Sequence, residues 1–216
     1  MRAVIAGGGG TGVALAKLLM EDGWSVVIID RDPRVCEHIV RELPSVDVIE
    51  GEATDPKVLE EAGIRKADVF VAVTNSDSVN VMSSVLAKNM GVKKVIARVE
   101  SSMYKEVAEK MGLKDYIIPS ESAAAQIEEM VKGVDFLSTF IKYHRELELL
   151  EEEVDKSSPY VGMSICEVME RSNDRHPIMI IKSNGDKVLI PKLGYRIKAG
   201  DKIIFLRKRS IFERLF

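Results

Sequence analysis

Six residues near the start, Gly7-Gly8-Gly9-Gly10-Thr11-Gly12, constrain the fold more than any other stretch of the chain. They follow a short apolar run, Ala3-Val4-Ile5-Ala6, which reads as a buried parallel strand. They precede Val13 to Met20, whose composition reads as a helix. Strand, glycine turn and helix form the pattern G-x-G-x-x-G, met by Gly7, Gly9 and Gly12. Each glycine has its own reason. Gly7 allows a tight turn, Gly9 lets a pyrophosphate approach the backbone, and Gly12 lets the helix pack on the strand. Free N–H groups at the helix start then face the phosphates.

A glycine run also occurs in plain turns, so its context decides. A second apolar strand, Trp24 to Ile29, ends in Asp30, 18 residues after Gly12. That is close to the spacing of a carboxylate that accepts hydrogen bonds from the adenosine ribose hydroxyls. The competing reading is a glycine-rich turn that binds nothing, with Asp30 as a solvated strand end. Arg31 can stack on adenine, hold a 2′-phosphate, or be a solvated loop charge. Asp30 beside it repels such a phosphate, which favours NAD or another nucleotide with an unphosphorylated ribose over NADP.

Strand and helix patterns alternate onward to about residue 133. Asp32-Pro33 starts a helix running to Leu43, with Asp32 as N-cap. Strands are expected at 46–49, 69–73, 95–99 and 116–119, with helices at 76–90, 101–111 and 120–132 and another after Thr54-Asp55-Pro56. Near-continuous apolar strands alternating with helices predict a doubly wound parallel α/β sheet, Rossmann-like, covered on both faces. The texture then changes. Residues 134–144 read as a connector whose apolar residues, Phe136 and Phe140 among them, suit a dimer face or packing within the chain. Residues 145–216 read as a smaller α+β domain, with a short helix at 164–171, a hairpin at Asn184-Gly185 and His176-Pro177 in a loop.

The 216 residues carry 46% hydrophobic and 30% charged residues and a net charge of −3. There is no basic surplus for a nucleic acid partner. No run approaches the roughly 20 apolar residues that span a bilayer, and the chain enters a strand at once, so neither membrane insertion nor a signal peptide is expected. Cys36 and Cys166 read as reduced thiols of a cytoplasmic protein. His38, His144 and His176 are not at metal-ligand spacing, and no metal site is expected. The smaller domain shows no nucleophile–base arrangement of the kind a dehydrogenase needs beside its nicotinamide. A dinucleotide fold without a catalytic half points to ligand sensing rather than an enzyme.

The chain resembles the regulator-of-potassium-conductance (RCK) family of the TrkA/KtrA type. The resemblance rests on Val4-Ile5-Ala6-Gly7 with the glycine loop, Ile29-Asp30, Gly51-Glu52-Ala53-Thr54-Asp55, Ala67-Asp68, Val73-Thr74-Asn75 with Asp77 and Asn80, Ala97-Arg98-Val99, and Pro119-Ser120-Glu121. Ile190-Pro191, Ile197 and Gly200-Asp201 resemble the family's C-terminal ligand domain. The resemblance implies that Gly7, Gly8, Gly9, Gly10 and Thr11 hold phosphates and Asp30 the ribose. It places Gly51, Glu52 and Ala53 on the adenine side, with Val73 and Thr74 flanking the nucleotide. Arg98 is expected to reach phosphates, or else to pair with Glu100 or Asp77. Thr54 and Asp55 are expected to cap a helix or touch ligand. Glu121 is read as a first-turn carboxylate suited to its helix dipole, with a divalent-cation role as the other reading.

Many members of the family have arginine where this chain has Gly10, where it reaches a terminal phosphate of ATP. Its absence favours NAD or NADH, with ADP, AMP and ATP as alternatives. The resemblance further implies a cytoplasmic regulatory subunit, in homodimers or larger rings. Such a subunit lies peripheral to the membrane and gates a TrkH/KtrB-like potassium-translocating partner. A regulator of another transporter and a small NAD-dependent oxidoreductase are the other readings.

Overall fold

The computed structural model describes residues 1–133, 147–172, 174–183, 188–189 and 195–208. The connector expected at 134–144 and the Asn184-Gly185 turn lie outside the described residues. The chain divides into two compact units, Met1–Lys132 and Gly133–Phe216.

In the first unit, β1 (Arg2–Ala6) leads through the glycine loop into α1 (Gly10–Glu21). Then come β2 (Ser25–Asp30), α2 (Pro33–Glu42), β3 (Asp47–Glu50) and α3 (Pro56–Glu61). The second half continues with β4 (Val69–Ala72), α4 (Asp77–Asn89), β5 (Lys94–Arg98), α5 (Ser102–Lys110), β6 (Asp115–Ile117) and α6 (Pro119–Val131). The six strands are all parallel, in the order β3-β2-β1-β4-β5-β6. This is the doubly wound arrangement expected, and strand order reverses between β1 and β4.

Residues of β1 show why both faces need cover. Val4 and Ala6 join one core with Phe70, Leu59 and Ile64. Ala3 and Ile5 join the other, with Ile28, Ile39 and Ala16. Side chains alternate across a strand, so a run without polar residues must be buried on both sides. Each fully buried large side chain contributes roughly 1.5–3 kcal/mol.

Local chemistry places the ends of the helices. Asp32 and Asp55 cap α2 and α3, accepting from Arg34 N at 2.9 Å and Lys57 N at 2.8 Å, each with proline in the first turn. The cap of α3 is therefore Asp55, not Thr54. α1 begins at Gly10, three residues before the apolar run that signals it, because the glycine loop itself winds into the first turn. α6 buries none of its residues in this unit, and Ile127, Met130 and Val131 are exposed.

The second unit holds β7 (Leu147–Glu153), α7 (Ile165–Arg171), β8 (Arg175–Ile181), β9 (Val188–Leu189) and β10 (Lys202–Lys208). They form an antiparallel sheet of order β7-β10-β8-β9 around Phe205, Ile203, Ile180 and Ile197. Ser164 and Glu167 form a reciprocal capping box on α7. His176-Pro177 lies within β8 rather than in a loop. Proline cannot donate to a ladder, and the pairing with β10 slips beside it: Phe205 faces Pro177 while Ile204 faces Met179. Asp201 is buried and accepts from Tyr195 Oη at 2.7 Å, Lys198 N at 2.9 Å and Ser183 N at 3.2 Å.

Candidate functional site

The carboxyl ends of the parallel strands enclose a cleft of about 460 Å³ where strand order reverses. Open α/β sheets bind ligands at this position. One wall is the glycine loop and the end of β2; the other is the end of β4 and Arg98 of β5. Of the residues singled out in the sequence, Gly7, Gly9, Gly10, Thr11, Asp30, Arg31, Gly51, Glu52, Ala53, Val73, Thr74 and Arg98 line it. Gly8 and Gly12 are not on its wall.

The five loop glycines divide by what a side chain there would meet. Gly7 has φ +108°, and a Cβ would lie 2.9 Å from Thr74 N. A Cβ at Gly8 would come within 2.8 Å of Val35 Cγ1 and closer still to Ile39, and one at Gly12 would run into the Gly7 carbonyl oxygen. Packing within the chain accounts for these three. At Gly9 and Gly10 a Cβ would meet nothing within 4 Å, and neither has positive φ. These two leave open the floor of the cleft. Gly9 is the N-cap of α1, with no side-chain cap and no acidic residue in the first turn. The first N–H groups of the helix therefore have no intrahelical acceptor and carry the positive end of its dipole. The arrangement suits an anionic group at the loop.

At the far side of the loop, Asp30 is fixed by the backbone. Its Oδ2 accepts from Gly8 N at 2.6 Å and its Oδ1 from Asp32 N at 2.9 Å. Each carboxylate oxygen keeps a second acceptor position, the geometry a vicinal diol needs. Gly51 N donates to the Asp30 carbonyl at 2.9 Å, extending the wall toward Glu52 and Ala53. A Cβ on Gly51 would come 2.7 Å from Val58 Cγ2, so the turn sits flat on α3. Arg31 and Glu52 form an ion pair at 3.5 Å, 70% and 50% exposed. At that exposure the pair adds little stability. Beneath Asp30, the buried Cys36 Sγ donates to its carbonyl at 3.4 Å. Burial and the nearby Asp30 carboxylate push that thiol above its ordinary pKa.

The opposite wall is tied together by a residue the sequence reading named only within a motif. Asn80 is fully buried on α4. Its Oδ1 accepts from Thr74 N at 2.9 Å and Thr74 Oγ1 at 2.7 Å; its Nδ2 donates to the Thr74 and Arg98 carbonyls, both at 3.0 Å. The available signal is periodic: residues 80, 84 and 87 all lie on the buried face of α4. Arg98 Nη1 donates to the Thr74 carbonyl at 3.2 Å. Asp77 does not pair with Arg98; it accepts from Glu100 N and Ser101 N. Asp32, Val35, Asn75, Ser76 and Val79 also line the cleft and were not singled out as ligand contacts. None of the described lining residues is a histidine, cysteine, lysine or tyrosine. Glu121 lies in the first turn of α6. Among the described residues, no cluster of three or more His, Cys, Asp or Glu could hold a metal ion, and no described helix is long and apolar enough to cross a membrane.

Comparison with known proteins agrees with this architecture. Residues 3–119 match the TrkA-N domain family. The chain is 36% identical over 208 residues to the Trk system potassium uptake protein TrkA homolog of Methanothermobacter thermautotrophicus, covering 96% of this chain and 94% of that protein. It is 31% identical to the Trk system potassium uptake protein TrkA of Halomonas elongata, covering all of this chain but 48% of that one. The fold is shared with the RCK domain of GsuK, with a TM-score of 0.52 at 17% identity over 99% of this chain and 45% of that one. A structure of the GsuK channel bound to NAD gives a TM-score of 0.53 at 18% identity over 99% of this chain and 37% of that one. The chain belongs to the TrkA family, with a TrkA-N domain as its first unit.

Proposed function

We propose that this chain is a nucleotide-sensing regulatory subunit of a potassium uptake system, binding NAD or NADH in the cleft between β1 and β4. The observation that carries the nucleotide reading is the open floor over Gly9 and Gly10, with unpaired N–H groups facing it and Asp30 beyond. In this reading the loop takes the pyrophosphate, Asp30 takes the adenosine ribose hydroxyls, and Gly51, Glu52 and Ala53 border the adenine. Asp30, Asp32 and Glu52 on one side of the cleft disfavour the extra phosphate of NADP. Gly10 offers no side-chain cation to the end of a triphosphate, which ranks ATP below NAD(H), with ADP and AMP between. The potassium-transport role is supported by the relatives' names.

A protein of this kind works as a cytoplasmic homo-oligomer docked on a membrane potassium-translocating subunit, and it is not an enzyme. Ligand can bias such an assembly only by binding one of its states more tightly. Calorimetric titration with NAD, NADH, ADP, AMP and ATP, and mass spectrometry of any nucleotide that co-purifies, test the site. Asp30→Ala is expected to lose the nucleotide; undiminished occupancy refutes the assignment, and ATP binding much the tightest refutes the ranking. Co-purification with a multi-helix membrane subunit tests the partner.

A further inference from the structure

We propose that Asn80 is a positioning residue for the nucleotide site: acting through the Thr74 backbone, it holds the Arg98 guanidinium toward the ligand's anionic group. This inference rests on the nucleotide reading above and deepens it. Asn80 does not line the cleft, yet its side-chain amide makes four hydrogen bonds to residues that form the wall. Two reach the N–H and hydroxyl of Thr74; the other two reach the carbonyls of Thr74 and Arg98. The Thr74 carbonyl in turn accepts from Arg98 Nη1. The guanidinium is therefore oriented by a carbonyl that Asn80 fixes, and its own backbone is fixed by the same amide.

A second tie acts just beyond. Asp77, one turn earlier on α4, takes the N–H groups of Glu100 and Ser101. The start of α4 thus grips the chain at the Arg98 carbonyl and just beyond it, where β5 ends. Arg31, the other cleft arginine, is engaged with Glu52. Arg98 has no ion-pair partner among the described residues, so its remaining N–H groups are available to an anion. Thr74 already uses its N–H, hydroxyl and carbonyl within the chain. Its contribution to a ligand is accordingly shape, and the polar contact from this wall falls to Arg98.

The test is a double-mutant cycle on the full chain, titrated calorimetrically with NAD, with thermal unfolding followed in parallel. Asn80→Ser and Arg98→Gln are each expected to weaken NAD binding about tenfold. The double variant is expected to bind about as weakly as Arg98→Gln alone, because Asn80 acts through Arg98. Thr74→Val disturbs the same relay at a half-buried position; it is expected to weaken NAD about threefold, again without adding to Arg98→Gln. It serves in place of Asn80→Ser should that variant not fold. A purely structural role lowers the melting temperature but leaves NAD affinity of the folded protein unchanged, which overturns the proposal. Losses that multiply in the double variant overturn it too. A wild-type chain that binds none of NAD, NADH or ADP defeats the nucleotide reading itself. Binding by wild type with equal affinity in Asn80→Ser or Thr74→Val defeats the positioning role alone.

Discussion

Two alanine substitutions three residues apart in the same loop should have opposite consequences. At Gly12, the new methyl collides with the Gly7 carbonyl oxygen and sits 3.5 Å from Ile5 Cγ2. Backbone cannot swing aside as a side-chain tip does, so α1 must lift from β1. Overpacking of this kind costs about 3 kcal/mol, or a melting temperature lower by about 6–12 °C for a chain this long. At Gly9, the methyl meets nothing within 4 Å, and the backbone at φ −71°, ψ −177° suits any L-residue. Lost freedom in the unfolded chain stabilises by about 0.4–1 kcal/mol. The poorer N-cap offsets about 0.5 kcal/mol of that. The melting temperature should therefore stay within about 2 °C. The same methyl projects into the floor of the cleft, where NAD affinity should fall at least tenfold, about 1.4 kcal/mol. Differential scanning fluorimetry and calorimetric titration read both variants. A Gly9→Ala protein that binds NAD like wild type refutes the assignment of the open floor to phosphate. A Gly12→Ala protein with unchanged melting temperature refutes the packing argument.

Three further expectations follow from local geometry. Gly51→Ala should destabilise by about 1–2 kcal/mol, because its methyl presses on Val58; adding Val58→Ala should recover part of the loss in urea unfolding, and a cycle showing no such coupling contradicts the contact. Tyr195, desolvated and donating to Asp201, has its pKa pushed up to about 12. Its contribution to stability is fully present below the ordinary tyrosine pKa of about 10 and is lost as pH rises from there through about 12. Tyr195→Phe should remove a phase near pH 12 from the tyrosinate absorbance titration; an unchanged curve counts against it. Cys36, buried with its thiol pKa raised, should alkylate more slowly than the half-buried Cys166 at about pH 8, and the reverse order in a peptide map would contradict its burial.

The parallel sheet was legible because its strands, such as Val69 to Ala72, are apolar on both faces, a pattern few other structures need. Asp32 and Asp55 before proline marked two helix starts for a similarly local reason. The line of cleft residues from the glycine loop to Arg98 was legible by motif, since they follow or close recognisable strands. What stayed hidden depends on contacts remote in sequence. Nothing local separates Gly12, pressed against Gly7, from Gly9, which faces open space. The role of Asn80 needed the ends of β4 and β5 to be brought beside α4. His176-Pro177 read as a loop because proline is rare inside strands, and the slipped register that accommodates it is a property of the pairing with β10.

The reversal of strand order between β1 and β4 has a mechanical consequence. Residues up to about Glu61 build β1, β2 and β3, and residues from Val69 build β4, β5 and β6; the two halves meet along one backbone ladder, Ala3–Ala6 against Val69–Ala72. The cleft opens at the end of that seam, and its walls belong to different halves. A molecule filling it bridges the seam as a clasp does, adding free energy that grows with concentration, about 2.7 kcal/mol at a hundredfold excess over Kd. Occupancy is thereby registered as resistance of the two halves to parting, a signal available to anything that grips both.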